Sequence, residues 1–502
     1  MKILLRVIAS TVNRSAGLQP TANEQRPTNL KLFRPVNRQL STVMPQPVIA
    51  IFDLGKTNKK LFLFDEEYRI VYEKSERLIE TEDEDGFPCE NIGKLHNSVL
   101  DSLEDILRND AFEIKAINFS TYGASLVYVD GKGMPLTALY SYLKPYPAQL
   151  QKKFYEKYGG EEKVSLETAS PVLGSLNSGL QMYRVKYEQP QVFAKIKYAL
   201  HLPQYMSFLL TGKPFSDLTS IGCHTKLWNF QKNNYHEWVA KENLLSKLAP
   251  IIPGNSVSQT NLPHKKFLVG PGLHDSSAAL IPYLVNFKEP FVLISTGTWC
   301  ISLNPFNKLP LTEEELAQDA LCYLSYEGKP VKASRLFSGN EHEQELERIS
   351  THFKQRPDKY KTIAFDPNIV QQLKSRKQPD QRAEEKSLLM KQSFFGKREL
   401  DNFSTYEEAY HQLMLDLVSQ QFASTELVIK NTSVKRIFID GGFSSNSIYM
   451  NLLASIFPGR EIFAASIAQS TALGAALAIH DSWNKKHHPN DLIQLKYYAT
   501  WE

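Results

Sequence analysis

Three short turns in this chain have the residue types needed to hold an anion, and each follows an apolar run. They are Asp53-Leu54-Gly55-Lys56-Thr57-Asn58, Ser295-Thr296-Gly297-Thr298, and the stretch from Asp440 to Asn446 with Gly441 and Gly442. Backbone N–H groups in such turns form concave anion sites, and glycine lacks the β-carbon that would hold a phosphate away. One such turn is ordinary punctuation between strands; three in one chain point to phosphate chemistry. Other nucleotide fingerprints are absent. A P-loop would need glycine where Ala50 stands, and no G-x-G-x-x-G follows a strand. No G-x-S-x-G nucleophile elbow occurs. Glu341-His342-Glu343 and His487-His488 lack partners at metal-ligand spacing.

Strands must carry these turns. Residues 48–52 and 61–64 are apolar runs on either side of 55–58, which predicts a β-hairpin with a polar tip. Residues 290–304 repeat the pattern around 295–298. Two like hairpins, one opening each half, predict a duplicated domain. Between and after them strands alternate with amphipathic segments. Residues 148–158, 180–187, 192–211 and 407–430 read as helices, 116–130 as strand, turn, strand, and 436–442 as a strand ending in glycines. Such alternation predicts α/β layers. The polar, charged stretch 339–400 reads as a surface insertion and 483–502 as a short tail.

Composition narrows the partners. The chain has 502 residues, 42% apolar and 22% charged, which is globular and long enough for two to four domains with a cleft between them. Seven basic residues against Glu24 give residues 1–44 a charge of +6, and the rest carries −2 of the net +4. The folded part is therefore not basic, and a nucleic-acid partner is not expected. No uncharged apolar run approaches membrane-spanning length, so no membrane partner is expected either. The Arg-rich, acid-poor leader resembles a transit peptide; the alternative is a translation start at Met44. Either way, residues 1–47 are expected to be a disordered extension. Four cysteines, Cys89, Cys223, Cys300 and Cys322, form no C-x-x-C pair, which favours reduced thiols and a cytoplasmic location.

The ordered motifs resemble the FGGY family of carbohydrate kinases, within the actin-like, ribonuclease-H-like ATPases. They are DLGKTN at 53–58, GLHDSSAAL at 272–280, STGTW at 295–299, DGGFSSNSIYMNLLA at 440–454 and QSTALGAALA at 469–478, with 177–186 and 203–213 also fitting. The resemblance implies two duplicated actin-like α/β domains, 48–262 for sugar and 263–482 for nucleotide, with an interdomain cleft. It implies ATP and Mg²⁺, a ketose of L-rhamnulose or L-fuculose type, and a homodimer as an open option. Asp275 matches the catalytic base, placed where a helix dipole favours its ionised form. Asp53 matches the carboxylate near Mg²⁺, acting through water. Gly55, Lys56, Thr57, Asn58, Thr296, Gly297, Thr298, Gly441, Gly442, Ser444, Asn446 and Gln469 match nucleotide and phosphate contacts. Asn446 has a second reading as a helix cap, and Lys56 as a solvated lysine. Thr121, Tyr122, Gly123, Lys144, His224 and His274 fall on the sugar side with Asp275. Many family members carry a Trp-x-Asp-x-Arg-like sugar segment; here Tyr142-Leu143-Lys144-Pro145-Tyr146 has neither that acid nor that arginine. Xylulose, ribulose, glycerol or another polyol therefore stays open as substrate. A non-catalytic actin-like nucleotide sensor is the reading from another class; it would need the turns but not Asp275.

Overall fold

The computed structural model describes residues 44–376, 393–467 and 469–501. Most of the leader, including both readings of it, lies outside the described residues.

The apolar run before the first turn forms strand β1 (Gln46–Leu54), and the run after it forms β2 (Lys59–Asp65), antiparallel to β1. Strand β3 (Ile70–Glu76) continues the meander. Helix α1 (Ile92–Leu107), capped by Asn91, then crosses over to β4 (Phe112–Thr121), which runs parallel to β1. β1 is buried on both faces, as its near-continuous apolar sequence requires. Strand β5 (Leu126–Val129), helices α2 (Ala148–Tyr158) and α3 (Ser178–Glu188), strand β6 (Tyr198–His201) and helix α4 (Leu202–Thr211) follow. The chain returns to the first sheet through β7 (Ser258–Gln259), β8 (Leu268–Val269) and β9 (Leu273–His274). Sheet contributions thus extend past residue 262.

Helix α5 (Asp275–Asn286) leads to a second sheet built the same way. β10 (Phe291–Thr296) pairs antiparallel with β11 (Cys300–Asn304). β12 (Ala320–Leu324) and β13 (Pro330–Leu336) extend that side. Helices α6 (Ser338–His352), α7 (Pro367–Ser375) and α8 (Tyr406–Ile429) precede β14 (Arg436–Gly441), which is parallel to β10. Helix α9 (Ser447–Ile456) connects to β15 (Glu461–Ser466), parallel to β14. The expected duplication is present: each sheet has an antiparallel hairpin whose first strand also pairs with a parallel strand.

Helix α10 (Ser470–Ala478) comes from the second half of the sequence yet packs on the first sheet. Its Ala472, Ala475 and Ala476 meet Ile49, Ile51 and Phe62, and Asn118 Nδ2 of β4 donates to Ala475 O at 2.8 Å. Among the described residues, no helix is long and apolar enough to cross a membrane.

Three expectations need correction. Residues 192–211 are not one helix: β6 interrupts them, pairs with β5, and Pro203 opens the first turn of α4. Residues 339–400 are not merely a surface insertion. Leu346 and Ile349 of α6, Val370 and Leu373 of α7, and Phe395 enter the core around α8; part of that stretch lies outside the described residues. Residues 483–502 are more than a tail. Trp483 is buried, Asn484 Nδ2 donates to Glu66 O at 2.8 Å, and β16 (Gln494–Tyr498) adds an edge strand beside β15.

Candidate active site

Strand register assembles the first half of the site. Asp53 stands opposite Ser120 in parallel β1 and β4, and Thr121 opposite His274 in β4 and β9. Asp53 and the His274–Asp275 pair therefore sit at the C-terminal ends of β1 and β9, the two parallel strands on either side of β4, where open α/β sheets bind ligands. Asp275 is the first residue of α5, with His274 at the cap position, so a pure capping role does not describe it. Its Oδ1 accepts the Ser276 N–H at 2.6 Å and lies 3.1 Å from His274 Nε2. The expected effect of the helix dipole is outweighed: burial pushes the Asp275 carboxyl up to about 6, against the Ser276 hydrogen bonds. Asp53 is half-buried and accepts the Thr471 hydroxyl at 2.9 Å on Oδ2. Burial raises it to about 6 as well, Thr471 and Lys60 pull it down, and the Asp275 charge pushes it up. Both carboxyls are thereby held near the neutral range, where a carboxyl can exchange a proton.

The sugar-side expectations divide. Tyr122, Gly123, His224 and His274 come together. A β-carbon on Gly123 would stand 2.9 Å from His274 Cδ2 and 3.1 Å from Cys223 Sγ, so this position needs glycine for close approach. His274 is kept neutral, its pKa lowered by burial to about 3, with Nε2 also 3.2 Å from Cys223 Sγ. The His224 ring lies edge-on to it at 6.5 Å, and His224 Nδ1 faces Leu176 O at 3.0 Å. Thr121 Oγ1 turns back to Tyr122 O at 3.0 Å. Lys144 is instead 7% exposed and spent on ion pairs with Asp83 at 2.6 Å and Asp85 at 2.7 Å. Tyr142, from the same atypical stretch, packs edge-on to Tyr122 at 6.0 Å. Sequence reading missed Glu90, a buried carboxylate that takes both Lys59 Nζ and the Tyr122 hydroxyl.

The three glycine-bearing turns stand at strand ends, after β1, β10 and β14. In the first, Lys59 Nζ ties down Gly55 O at 2.7 Å and Lys56 O at 3.1 Å. Lys56 itself pairs with Glu80 at 2.7 Å, Asn58 Oδ1 accepts Arg77 Nε at 2.9 Å, and Thr57 is exposed. In the second, Thr296 Oγ1 donates to Asp440 O and accepts the Phe443 N–H at 3.0 Å, joining it to the third turn. Gly297 and Thr298 lie at the hairpin tip, where Thr298 O accepts the Asn340 N–H at 3.2 Å. Gly441 has φ +86° and a β-carbon there would collide with Thr296 O, so any other residue would strain the turn. The space over Gly442 is open, and Ser444 Oγ donates to Gly441 O at 2.8 Å. Asn446 caps α9 through the Ile448 and Tyr449 N–H groups and donates to the Tyr410 hydroxyl at 2.7 Å, so its capping reading holds. Gln469 has a left-handed backbone and its Oε1 accepts Lys60 Nζ at 3.2 Å, on the Asp53 side.

Asp440, Thr471 and Lys60 were also missed. Asp440 is buried, its Oδ1 accepts the Gly441 N–H at 2.7 Å, and the Ser470 side chain stands against its carboxyl. Its place just before two glycines at a strand end was the available signal. Lys60 faces Asp53 across the hairpin. Nothing in the spacing marked Thr471.

Comparison with known proteins gives the family context. Residues 48–273 match the N-terminal domain of the FGGY family of carbohydrate kinases, and 288–488 match the C-terminal domain of FGGY carbohydrate kinases. A curated rhamnulokinase from Oceanobacillus iheyensis is 23% identical over 227 residues, 42% of this chain and 46% of the relative. One from Halalkalibacterium halodurans is 24% identical over 262 residues, 49% of this chain and 52% of the relative. The chain thus spans about half the length of these curated relatives. The solved structure of ligand-bound xylulose kinase from Lactobacillus acidophilus superposes with TM-score 0.72 at 15% identity, over 90% of this chain and 94% of that one. That likeness extends the two-lobed, actin-like α/β fold to nearly the whole described chain.

Proposed function

The chain belongs to the FGGY family of carbohydrate kinases, and from that premise we propose that it transfers the γ-phosphate of ATP to a hydroxyl of a ketose. The observation that carries the reading is the pair of carboxyls, Asp53 at the end of β1 and Asp275 just after β9, on the two strands that flank β4, with Thr471 of α10 reaching Asp53 from the second half of the chain. Asp275 is the base: it accepts or orients the proton of the attacking hydroxyl while the turns hold the phosphates. Neutral His274, beside Asp275 Oδ1, adds no positive charge that would hold that carboxyl ionised in a resting salt bridge. Tyr122 and His224 line the sugar side with it.

The residues fit a magnesium-bound nucleotide. The hard oxygen donors of Asp53 and Asp440 and the open space over Gly442 suit Mg²⁺ and phosphate. Asp53 would hold the ion through water, and the ion would supply neutralisation of phosphate charge. Closure of the lobes would exclude water, whose attack on ATP is the competing reaction. A cytoplasmic location accords with the four free cysteines.

For the acceptor, we favour a deoxyketose of L-rhamnulose or L-fuculose type, supported by the names of the two curated relatives. Sugar-dependent ADP release over a panel of L-rhamnulose, L-fuculose, xylulose, ribulose and glycerol tests this. The deoxyketoses should give the highest kcat/KM. A preference for xylulose or glycerol would move the substrate within the family, and sugar binding with no ADP release would favour the sensor reading.

A further inference from the structure

The first turn of α10 (Ser470–Ala478) reaches carboxylates of both sheets. Thr471 Oγ1 donates to Asp53 Oδ2 at 2.9 Å, although the two residues are 418 positions apart. Ser470, one residue earlier, lies against Asp440 at the end of β14 and counters the effect of burial on that carboxyl. The left-handed backbone of Gln469 starts the helix and brings its amide oxygen to Lys60, the cross-strand neighbour of Asp53. Four residues into the helix, Gly474 sits so close to α5 that a β-carbon would collide with Ala278 O. Helix α5 begins with Asp275. One helix therefore touches the carboxylate of the first sheet, that of the second sheet, and the helix bearing the base.

We propose that Thr471 is a positioning residue for Asp53. Its hydroxyl, supplied by the second half of the chain, fixes the rotamer of a carboxylate supplied by the first half. Asp53 is then correctly aimed only when α10 is seated, and the cation side of the nucleotide site is complete only in that arrangement. Threonine suits this task. Its short side chain carries the hydroxyl one bond from the β-carbon, so the donor stays within reach of Asp53 with few rotatable bonds to order. Thr471 reaches the reaction only through Asp53. The proposal rests on the reading of Asp53 as the carboxylate next to magnesium-bound nucleotide.

The test is calorimetric titration of the full chain with ADP, in Mg²⁺ and in EDTA, for wild type, Thr471→Val, Thr471→Ser and Asp53→Asn. Valine keeps the shape and removes the donor; serine keeps the donor. A hydrogen bond to a charged group carries enough free energy for Thr471→Val to lose about tenfold of the Mg²⁺-dependent gain in ADP affinity. ADP affinity in EDTA should stay at the wild-type value, and Thr471→Ser should restore most of the gain. If Thr471→Val keeps the whole gain, or Thr471→Ser is as deficient as Thr471→Val, the hydroxyl does not position Asp53 and the proposal is overturned. Asp53→Asn separates the two layers: should it also keep the gain, the reading of Asp53 itself is overturned, and the proposal with it.

Discussion

At the scale of single residues, function and stability oppose each other. Asp53 has a folded-state pKa of about 6 against an ordinary 3.8, and burial is the main cause. Raised pKa means that the folded state prefers the protonated form. The stability tied to this group is therefore complete below about pH 4 and lost as pH rises through about 6. Because Asp53 is only half-buried, the resulting destabilisation above that range is at most about 3 kcal/mol. Asp53→Asn removes the charge, and its amide oxygen can still accept from Thr471. Without nucleotide, the variant should melt several degrees above wild type at pH 8, with the difference vanishing near pH 4. Thermal melts across pH check this; equal melting at pH 8 would mean that Asp53 is better solvated than its surroundings imply. Asp275 is raised for the same reason, so its replacement by Asn should not cost the protein its fold.

Single elements set where those residues stand. The contact of Gly474 with Ala278 O lets α10 and α5 approach closely, with Asp53 reached from one and Asp275 carried on the other. Gly474→Ala should force them apart, at a cost of roughly 1–3 kcal/mol. It should lower the melting temperature and turnover together, whereas alanine at Gly442, where the space is open, should leave melting unchanged. Paired melts and rate assays distinguish the two. Elements of this kind were unevenly legible in the sequence. The hairpins carrying Asp53 and Thr296 were plain, because strands buried on both faces are written as unbroken apolar runs. Strand β6 was not, since a short, mostly apolar stretch such as Tyr198–His201 fits the middle of a buried helix equally well. The contacts that complete the site escaped for another reason. Thr471 to Asp53 and Glu90 to Tyr122 join distant segments through side chains whose local pattern is that of any helix start or loop. Lys144 shows the converse, for its neighbours in sequence gave no sign of Asp83 and Asp85.

On the scale of the whole molecule, the two sheets repeat one plan but carry different chemistry. The first supplies Asp53, Tyr122 and the approach to Asp275; the second supplies the turns at Thr296 and Gly441. The chain crosses between them more than once. α10 returns to the first sheet, Asn484 holds the turn at Glu66, and β16 then joins the edge of the second. In the function proposed above, this cleft moves a phosphoryl group with Asp275 as base. Its most direct test is sugar-dependent ADP release by Asp275→Asn beside wild type, on the best ketose of the panel, with ADP affinity measured on the same samples. Removal of a general base lowers rate by about 10²–10⁴-fold, while the nucleotide turns are untouched. The expected result is a fall in kcat of that order with ADP affinity within about twofold of wild type, since the proposed nucleotide contacts lie on other loops. Wild-type turnover in Asp275→Asn would contradict it.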